Sequence, residues 1–247
     1  MKKTSIGGLQ VDSLTCQEWV DLFFKQCSES TATNRFYTSA NGNVVSQYNS
    51  NARLKSIIDN ADGVDADGMS LVFASRIFSK TPLPERVVTT DFYHGLLSDV
   101  RSMHGLKVFL LGGTEAENEQ SIIYTKEKFP HVEVQGYHGY INETNLSDVF
   151  NKIDDFSPDI LFIGMGVPLE HYFIELNRHR FKSAKWIKTC GGMFKVLSGG
   201  VKRPPAWMGK YGLEWLYRCL QEPRHVLPRY LKTNPHTLWM FLKYRDK

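Results

Sequence analysis

No run of apolar residues in this 247-residue chain approaches the roughly 18 needed to cross a bilayer. A membrane partner would therefore have to be met at its surface. The first residues, MKKTSIGGLQVDS, carry two lysines but no apolar stretch after them, so a secretory signal is not expected. Four cysteines, Cys16, Cys27, Cys190 and Cys219, form no CxxC pair and no metal-type spacing, which points to reduced thiols in a cytosolic protein. Eight histidines make no HxxH or HExxH pattern, and solitary ones such as His138 and His171 read as structural. A GxSxG elbow is missing, which removes support for a hydrolase triad. GxGxxG is missing too, which counts against a dinucleotide-dependent oxidoreductase. There is no internal repeat and no low-complexity linker.

What the chain does have is an ordinary globular composition, 42% hydrophobic and 23% charged, with length enough to bury a sizeable core. Its net charge of +4 is unevenly spread. From Val201 onward there are ten Lys/Arg against three Asp/Glu, whereas the preceding 200 residues hold twenty against twenty-three. The basic character belongs to the tail, and aromatics are interleaved with its charges. Such asymmetry suggests an anionic partner, either a membrane surface or a nucleic acid. The plainer reading is a solvated basic face.

Short apolar runs alternate with helical patterns. Strands are expected at Arg35–Ser39, Gly63–Asp65, Lys107–Gly113, Val132–Gln135, Asp159–Gly166 and Lys185–Cys190. Between them the periodicity predicts helices after the capping box Thr15-x-x-Glu18, over Val44–Asp59, from Met69, from Asp91, from the capping box Thr114-x-x-Glu117 to Phe129, over Asn145–Asp155 and over Leu169–Arg180. Strand–helix alternation of this kind means an α/β fold: a parallel, Rossmann-like sheet with helices on both faces. After Gly200 only helical patterns follow. The expected division is an α/β catalytic domain over residues 1–200 and a basic, helical, membrane-docking appendage over residues 201–247.

In open parallel sheets ligands sit beyond the carboxyl ends of the strands. The stretches to inspect are therefore Ser39-Ala40-Asn41, Asp65-Ala66-Asp67-Gly68, Gly112-Gly113-Thr114, Gly164-Met165-Gly166 and Gly191-Gly192. Gly112–Glu117 joins a strand to a helix, where free N–H groups and the dipole could meet a phosphate. A plain tight turn is the alternative. Asp65 and Asp67 resemble a metal-binding DxD, although either could be a cap or turn former. In the tail, Arg203, Arg218, Arg224 and Arg229 lie among Trp207, Tyr211, Trp215, Tyr217 and Tyr230. Tryptophan and tyrosine favour the headgroup level, and arginine pairs with phosphates. Glu214, Arg218 and Gln221 share one helical face, and Pro223 suits the first turn of a following helix.

The stretch GGVKRPPAWMGKYGLEWLYRCLQEPRHVLPRYL, Gly199 to Leu231, closely resembles the C-terminal signature of the TagA/WecG/CpsF glycosyltransferases. Further blocks agree in order: SANGNVV from Ser39, DADGMSLV from Asp65, PLPERV from Pro82, VFLLGG from Val108 and GMGVP from Gly164. The resemblance covers nearly the whole chain. It implies an inverting, metal-independent transferase without a cofactor. The enzyme would move a sugar of the UDP-N-acetylmannosamine type, or a related UDP-hexose, onto a saccharide carried by undecaprenyl diphosphate, in the synthesis of cell-surface polysaccharide. It also implies a cytoplasmic protein, peripheral on the inner face of the membrane. The implied partners are the UDP-sugar, the lipid-linked acceptor and an anionic membrane, with no nucleic acid; a homo-oligomer is left open, because the sequence does not give the oligomeric state. Carried over residue by residue, the catalytic set is Asp67 as base with Ser39 and Asn41. The substrate-binding set is Arg86, Gly112, Gly113, Thr114, Gly166, Glu170, Arg203, Arg218 and Arg224. The chain departs from the family pattern at Ser39, where the family often has Thr, at Leu169-Glu170-His171, where it often has Lys-Gln-Glu, and at Lys195, where it often has Asp. These positions flank the expected donor pocket and bear on which sugar is used.

Overall fold

The computed structural model describes residues 2–29 and 34–246. In chain order the elements are β1 (Lys3–Ile6), β2 (Leu9–Asp12), α1 (Cys16–Cys27), β3 (Arg35–Ala40), α2 (Gly42–Ser50), α3 (Ala52–Asp59), β4 (Gly63–Ala66), α4 (Met69–Phe78), α5 (Thr89–Ser98), β5 (Lys107–Gly112), α6 (Glu115–Lys128) and β6 (Glu133–Tyr137). There follow α7 (Leu146–Phe156), β7 (Ile160–Gly164), α8 (Leu169–Asn177), β8 (Trp186–Thr189), α9 (Met193–Leu197), α10 (Ala206–Lys210), α11 (Glu214–Gln221) and α12 (Pro223–Lys243). The expected α/β architecture is present: six strands form one sheet in the order β4-β3-β8-β7-β5-β6.

The contacts divide the chain into two units. The first comprises Met1–Cys16, Ser39–Val88 and Lys202–Lys247, and the second Gln17–Thr38 with Thr89–Val201. A change of unit does fall at residue 201. The segment beyond it, however, is not a unit by itself.

In the second unit β3, β8, β7, β5 and β6 pair in parallel. VFLLG in β5 and ILFIG in β7 are buried along their whole length, as strands covered on both faces must be. β6 alternates exposed and buried residues, with Glu133 and Gln135 outward, as befits an edge strand. The connection from β6 to β7 crosses back over β5, so the topological switch lies between β5 and β7. Their register pairs Gly112 with Gly164 at the carboxyl end. Around Trp186 the core is aromatic: Tyr37 stacks on it at 3.9 Å between centroids, and Phe23 meets it edge-on at 5.2 Å.

In the first unit the chain opens with an antiparallel hairpin, β1 with β2, that the sequence reading left out. Its two-residue turn is Gly7-Gly8, both at positive φ (59° and 80°), where only glycine is unstrained. The helix expected over Val44–Asp59 is two helices. Asn51 breaks it, extended at φ −134°, and its side chain accepts from the Leu54 N–H to cap α3.

The tail also packs differently from the expected appendage. Val226, Thr233, Thr237, Met240 and Phe241 lie on one face of α12 and are buried. That face packs on α2: Thr237 Oγ1 donates to the Gly42 carbonyl at 2.5 Å, and Ser46 Oγ meets His236 Nδ1 at 2.9 Å. The charges that mark the tail as basic occupy other faces of its helices, so a helix read as an appendage from its charge is also a wall of the core.

Candidate functional site

In the first unit two strand ends and the loop before α5 are tied together through their backbones. The Asp67 N–H donates to the Ala40 carbonyl and the Val87 N–H to the Ala66 carbonyl, each at 2.8 Å. The residues beside these bonds are Asn41, Asp67 and Arg86, which are 45 positions apart in sequence at the extremes and neighbours here. Asn41 caps α2: its backbone is extended and its Oδ1 accepts the Val44 N–H at 3.2 Å. Gly68 is pressed against it, since a Cβ on Gly68 would lie 3.2 Å from the Asn41 Cβ. Ser39, half-buried, is two residues before Asn41 on β3. Of the two carboxylates in the DxD stretch, Asp65 is 1% exposed at the end of β4, while Asp67 is only half-buried. The pair therefore does not present two solvent-facing carboxylates to one ion. Among the described residues no three His, Cys, Asp or Glu side chains stand together as a metal-ligand group.

Arg86 was expected as a cation for a diphosphate. Its Nη1 pairs with Glu214 Oε2 at 2.6 Å, in a partly shielded setting. Gly209 makes room for this pair: a Cβ there would stand 3.2 Å from Glu214 Oε1 and 3.3 Å from Arg86 Nη2. Glu214 escaped the sequence reading because it was paired there with Arg218 by helical spacing. The available signal was its isolation as one of three acids in the tail. Of the tail arginines, Arg203 and Arg224 are exposed and Arg218 is half-buried. Gln221, also assigned to the Arg218 face, instead clamps the start of the tail. Its Oε1 accepts the Lys202 N–H at 3.0 Å and its Nε2 donates to the Lys202 carbonyl at 3.1 Å.

The strand ends of the second unit are also tied by a backbone bond, and carboxylates join in. The Gly113 N–H, nominated for phosphate, donates to the Gly164 carbonyl at 3.1 Å. The Thr114 N–H donates to Glu117 Oε2 at 2.9 Å, and Thr114 Oγ1 accepts the Glu117 N–H at 3.2 Å, completing the capping box. Both N–H groups are thus engaged within the chain, and a phosphate would have to displace a carboxylate. Gly112 (φ 154°) and Gly164 are glycines for another reason. The Phe194 ring lies against both, and a Cβ on either would overlap it. That ring fills the switch-point crevice where a dinucleotide would lie, which is a second count against the oxidoreductase.

Glu170 is buried, 2% exposed, rather than open to a substrate. Its Oε2 accepts the Met165 N–H at 3.2 Å and the Gly166 N–H at 3.0 Å. Burial pushes its carboxyl up to about 7, against the lowering effect of backbone N–H groups of Gly166, Met165 and Gly191. Glu170 therefore holds the turn after β7, where Gly166 sits at φ 81° in open space. Beneath this turn runs a buried polar chain: His171 Nε2 lies 2.8 Å from Thr38 Oγ1, which lies 2.9 Å from Thr189 Oγ1. Burial first, and then the charge of Lys188, lower His171 to about 4, so its ring is neutral at ordinary pH. This agrees with the structural role read for it.

The geometry can be set beside known proteins. The model of the glycosyl transferase WecG/TagA/CpsF family matches residues 4–247. An N-acetylglucosaminyldiphosphoundecaprenol N-acetyl-beta-D-mannosaminyltransferase of Bacillus spizizenii is 33% identical over 189 residues, spanning 76% of this chain and 72% of its own. One of the same name from Staphylococcus aureus is 29% identical over 245 residues, 99% of this chain and 94% of its own. A match from residue 4 onward takes in Asn41, Asp67, Arg86 and the tail alike, and the chain belongs to the WecG/TagA/CpsF family of glycosyltransferases.

Proposed function

We propose that this glycosyltransferase moves an N-acetylmannosamine-type sugar from UDP onto an N-acetylglucosaminyl-diphosphate-linked polyprenol, with inversion and without a metal ion. The observation that carries the reading is the pair of backbone bonds that brings the segments holding Asn41, Asp67 and Arg86 together at the ends of β3 and β4. In this reading the half-exposed carboxylate of Asp67 takes the proton from the attacking hydroxyl of the acceptor. Asn41 and Ser39 hold the acceptor or donor sugar beside it. The departing UDP takes up negative charge, which cations stabilise as it develops. Arg86, oriented by Glu214, and the arginines Arg203, Arg218 and Arg224 are the candidates. Gly112, Gly113, Thr114 and Gly166 belong to the second unit, where Glu170 holds the turn at Gly166, and in this reading they take no part in the transfer step.

The same reading puts the protein on the inner face of the membrane. No described helix is long and apolar enough to cross a bilayer. On α12, Leu227, Leu231, Leu238 and Trp239 are exposed on the side away from α2, with Arg229, Lys232 and Lys243 near them. An apolar ridge among cations suits the surface of an anionic bilayer, where each basic residue contributes on the order of 1 kcal/mol.

The test is turnover of UDP-sugars with a diphosphate-linked polyprenyl saccharide, run in EDTA. Asp67→Asn is expected to lower turnover at least about a hundredfold and to leave UDP binding in place. Near-normal turnover in Asp67→Asn with a dead Asp65→Asn would move the base to Asp65. Wild-type activity lost in EDTA and restored by Mg²⁺ or Mn²⁺ would return a metal to the pair.

A further inference from the structure

The acceptor carries a long apolar chain, and the first unit has an apolar groove next to the proposed base. It is about 410 Å³ in volume. One wall is α4, which starts two residues after Asp67. Met69, Phe73 and Arg76 follow along it at spacings of four and three, which places them on one face, with Val72 in the floor. The other wall is the turn after α10, with Lys210 and Tyr211. Gly212, at φ 72°, seats that turn on α4: a Cβ there would lie 3.2 Å from the Phe73 ring. Phe73 and Tyr211 nevertheless remain 37% and 65% exposed. The charged lining is Arg76, Arg86 and Lys210 against one acid, Glu85, and large apolar side chains left open under such a rim suit an anion joined to a hydrocarbon chain.

We propose that this groove binds the first isoprene units of the acceptor lipid, with the diphosphate at its cationic rim and the saccharide toward Asp67. The proposal rests on the transfer reading above and adds to it a lipid subsite on α4. Chain contacts here contribute to acceptor binding and not to donor binding, because burial of each methylene is favourable wherever the head group sits.

The experiment titrates the full-length protein with farnesyl diphosphate and with inorganic diphosphate, so that it does not depend on turnover. Wild type is expected to bind the farnesyl compound at least about tenfold more tightly, a difference of about 1.4 kcal/mol. Phe73→Ser and Tyr211→Ser should each remove most of that preference and leave diphosphate and UDP binding within about twofold. Tyr211→Ser is the safer variant for folding, since the side chain is largely exposed. Equal affinity for the two probes in wild type overturns the groove assignment. So does a preference that survives in both variants, or a loss that falls equally on the two probes. If the farnesyl preference is present but no lipid-linked saccharide is ever glycosylated, the groove stands and the transfer reading fails.

Discussion

The two units finish their strands with different use of carboxylates. In the first, the backbone groups at the strand ends satisfy one another, Asp67 with Ala40 and Val87 with Ala66. The side chains of Asn41, Asp67 and Arg86 are thereby set on a braced frame. In the second, beside the Gly113–Gly164 backbone bond, side chains are spent on the backbone: Glu117 takes the Thr114 N–H, Glu170 takes those of Met165 and Gly166, and Phe194 covers two glycines. A carboxylate near a strand end is thus not enough to mark a reactive site. The proposed site falls where two strand ends and the loop before α5 are joined backbone to backbone.

This comparison can be broken at several points. The largest effect is expected at Gly112. Alanine there meets the Gly164 carbonyl and the Phe194 ring at a φ that disfavours any side chain, so Gly112→Ala should cost more than about 4 kcal/mol in urea denaturation. Gly166→Ala, equally left-handed but in open space, should cost only about 1–2 kcal/mol. Similar costs for the two would mean that Phe194 does not close the crevice.

Next in size is a pH effect. Glu170 is raised from 4.5 to about 7, so between those values the folded chain holds a proton that the unfolded chain has lost, and stability falls as pH rises. His171 is lowered from 6.5 to about 4, so across that window the unfolded chain binds the extra proton and stability rises with pH. The two nearly cancel between pH 4.5 and 6.5 in the wild type. Glu170→Gln leaves His171 alone, so stability should climb by at most about 3 kcal/mol over the same range. A parallel pH profile for wild type and Glu170→Gln would show that Glu170 is ionised in the folded protein throughout.

The smallest effect tests the masked N–H groups. Glu117→Ala should remove about 1 kcal/mol of stability with the capping box. It frees the Thr114 N–H without moving the helix. If UDP binding then tightens, the turn has an anion site that the carboxylate screens, and the contrast between the two strand ends narrows.

Much of this was legible in the chain itself. Continuous apolar runs such as VFLLG and ILFIG announce buried parallel strands because no polar face is needed, and Thr114-x-x-Glu117 announces a helix start. The first unit's strand ends were legible because DADG and SANG are short turns after strands. What escaped is what depends on distant residues. The hairpin signal, Gly-Gly between two short alternating runs, was present at Gly7-Gly8 but overlooked. Glu214 as the partner of Arg86 lies 128 positions away, and helical spacing pointed it to Arg218 instead. Glu170 reads as a ligand residue because sequence shows a carboxylate's presence, not which way it faces.

The Gly7-Gly8 turn has Val45, Phe241 and Tyr244 for its walls. Its strands leave the ribosome well before two of those walls, Phe241 and Tyr244, have been made. Asp246 finally ties its N–H to the Phe78 carbonyl at the end of α4. The second unit lies almost entirely between these segments in the chain, and all of its residues are made before Phe241 appears. Vectorial synthesis therefore lets the second unit fold while the first must wait. A chain that stops short of Phe241 lacks the wall that supports α2, the helix that Asn41 caps.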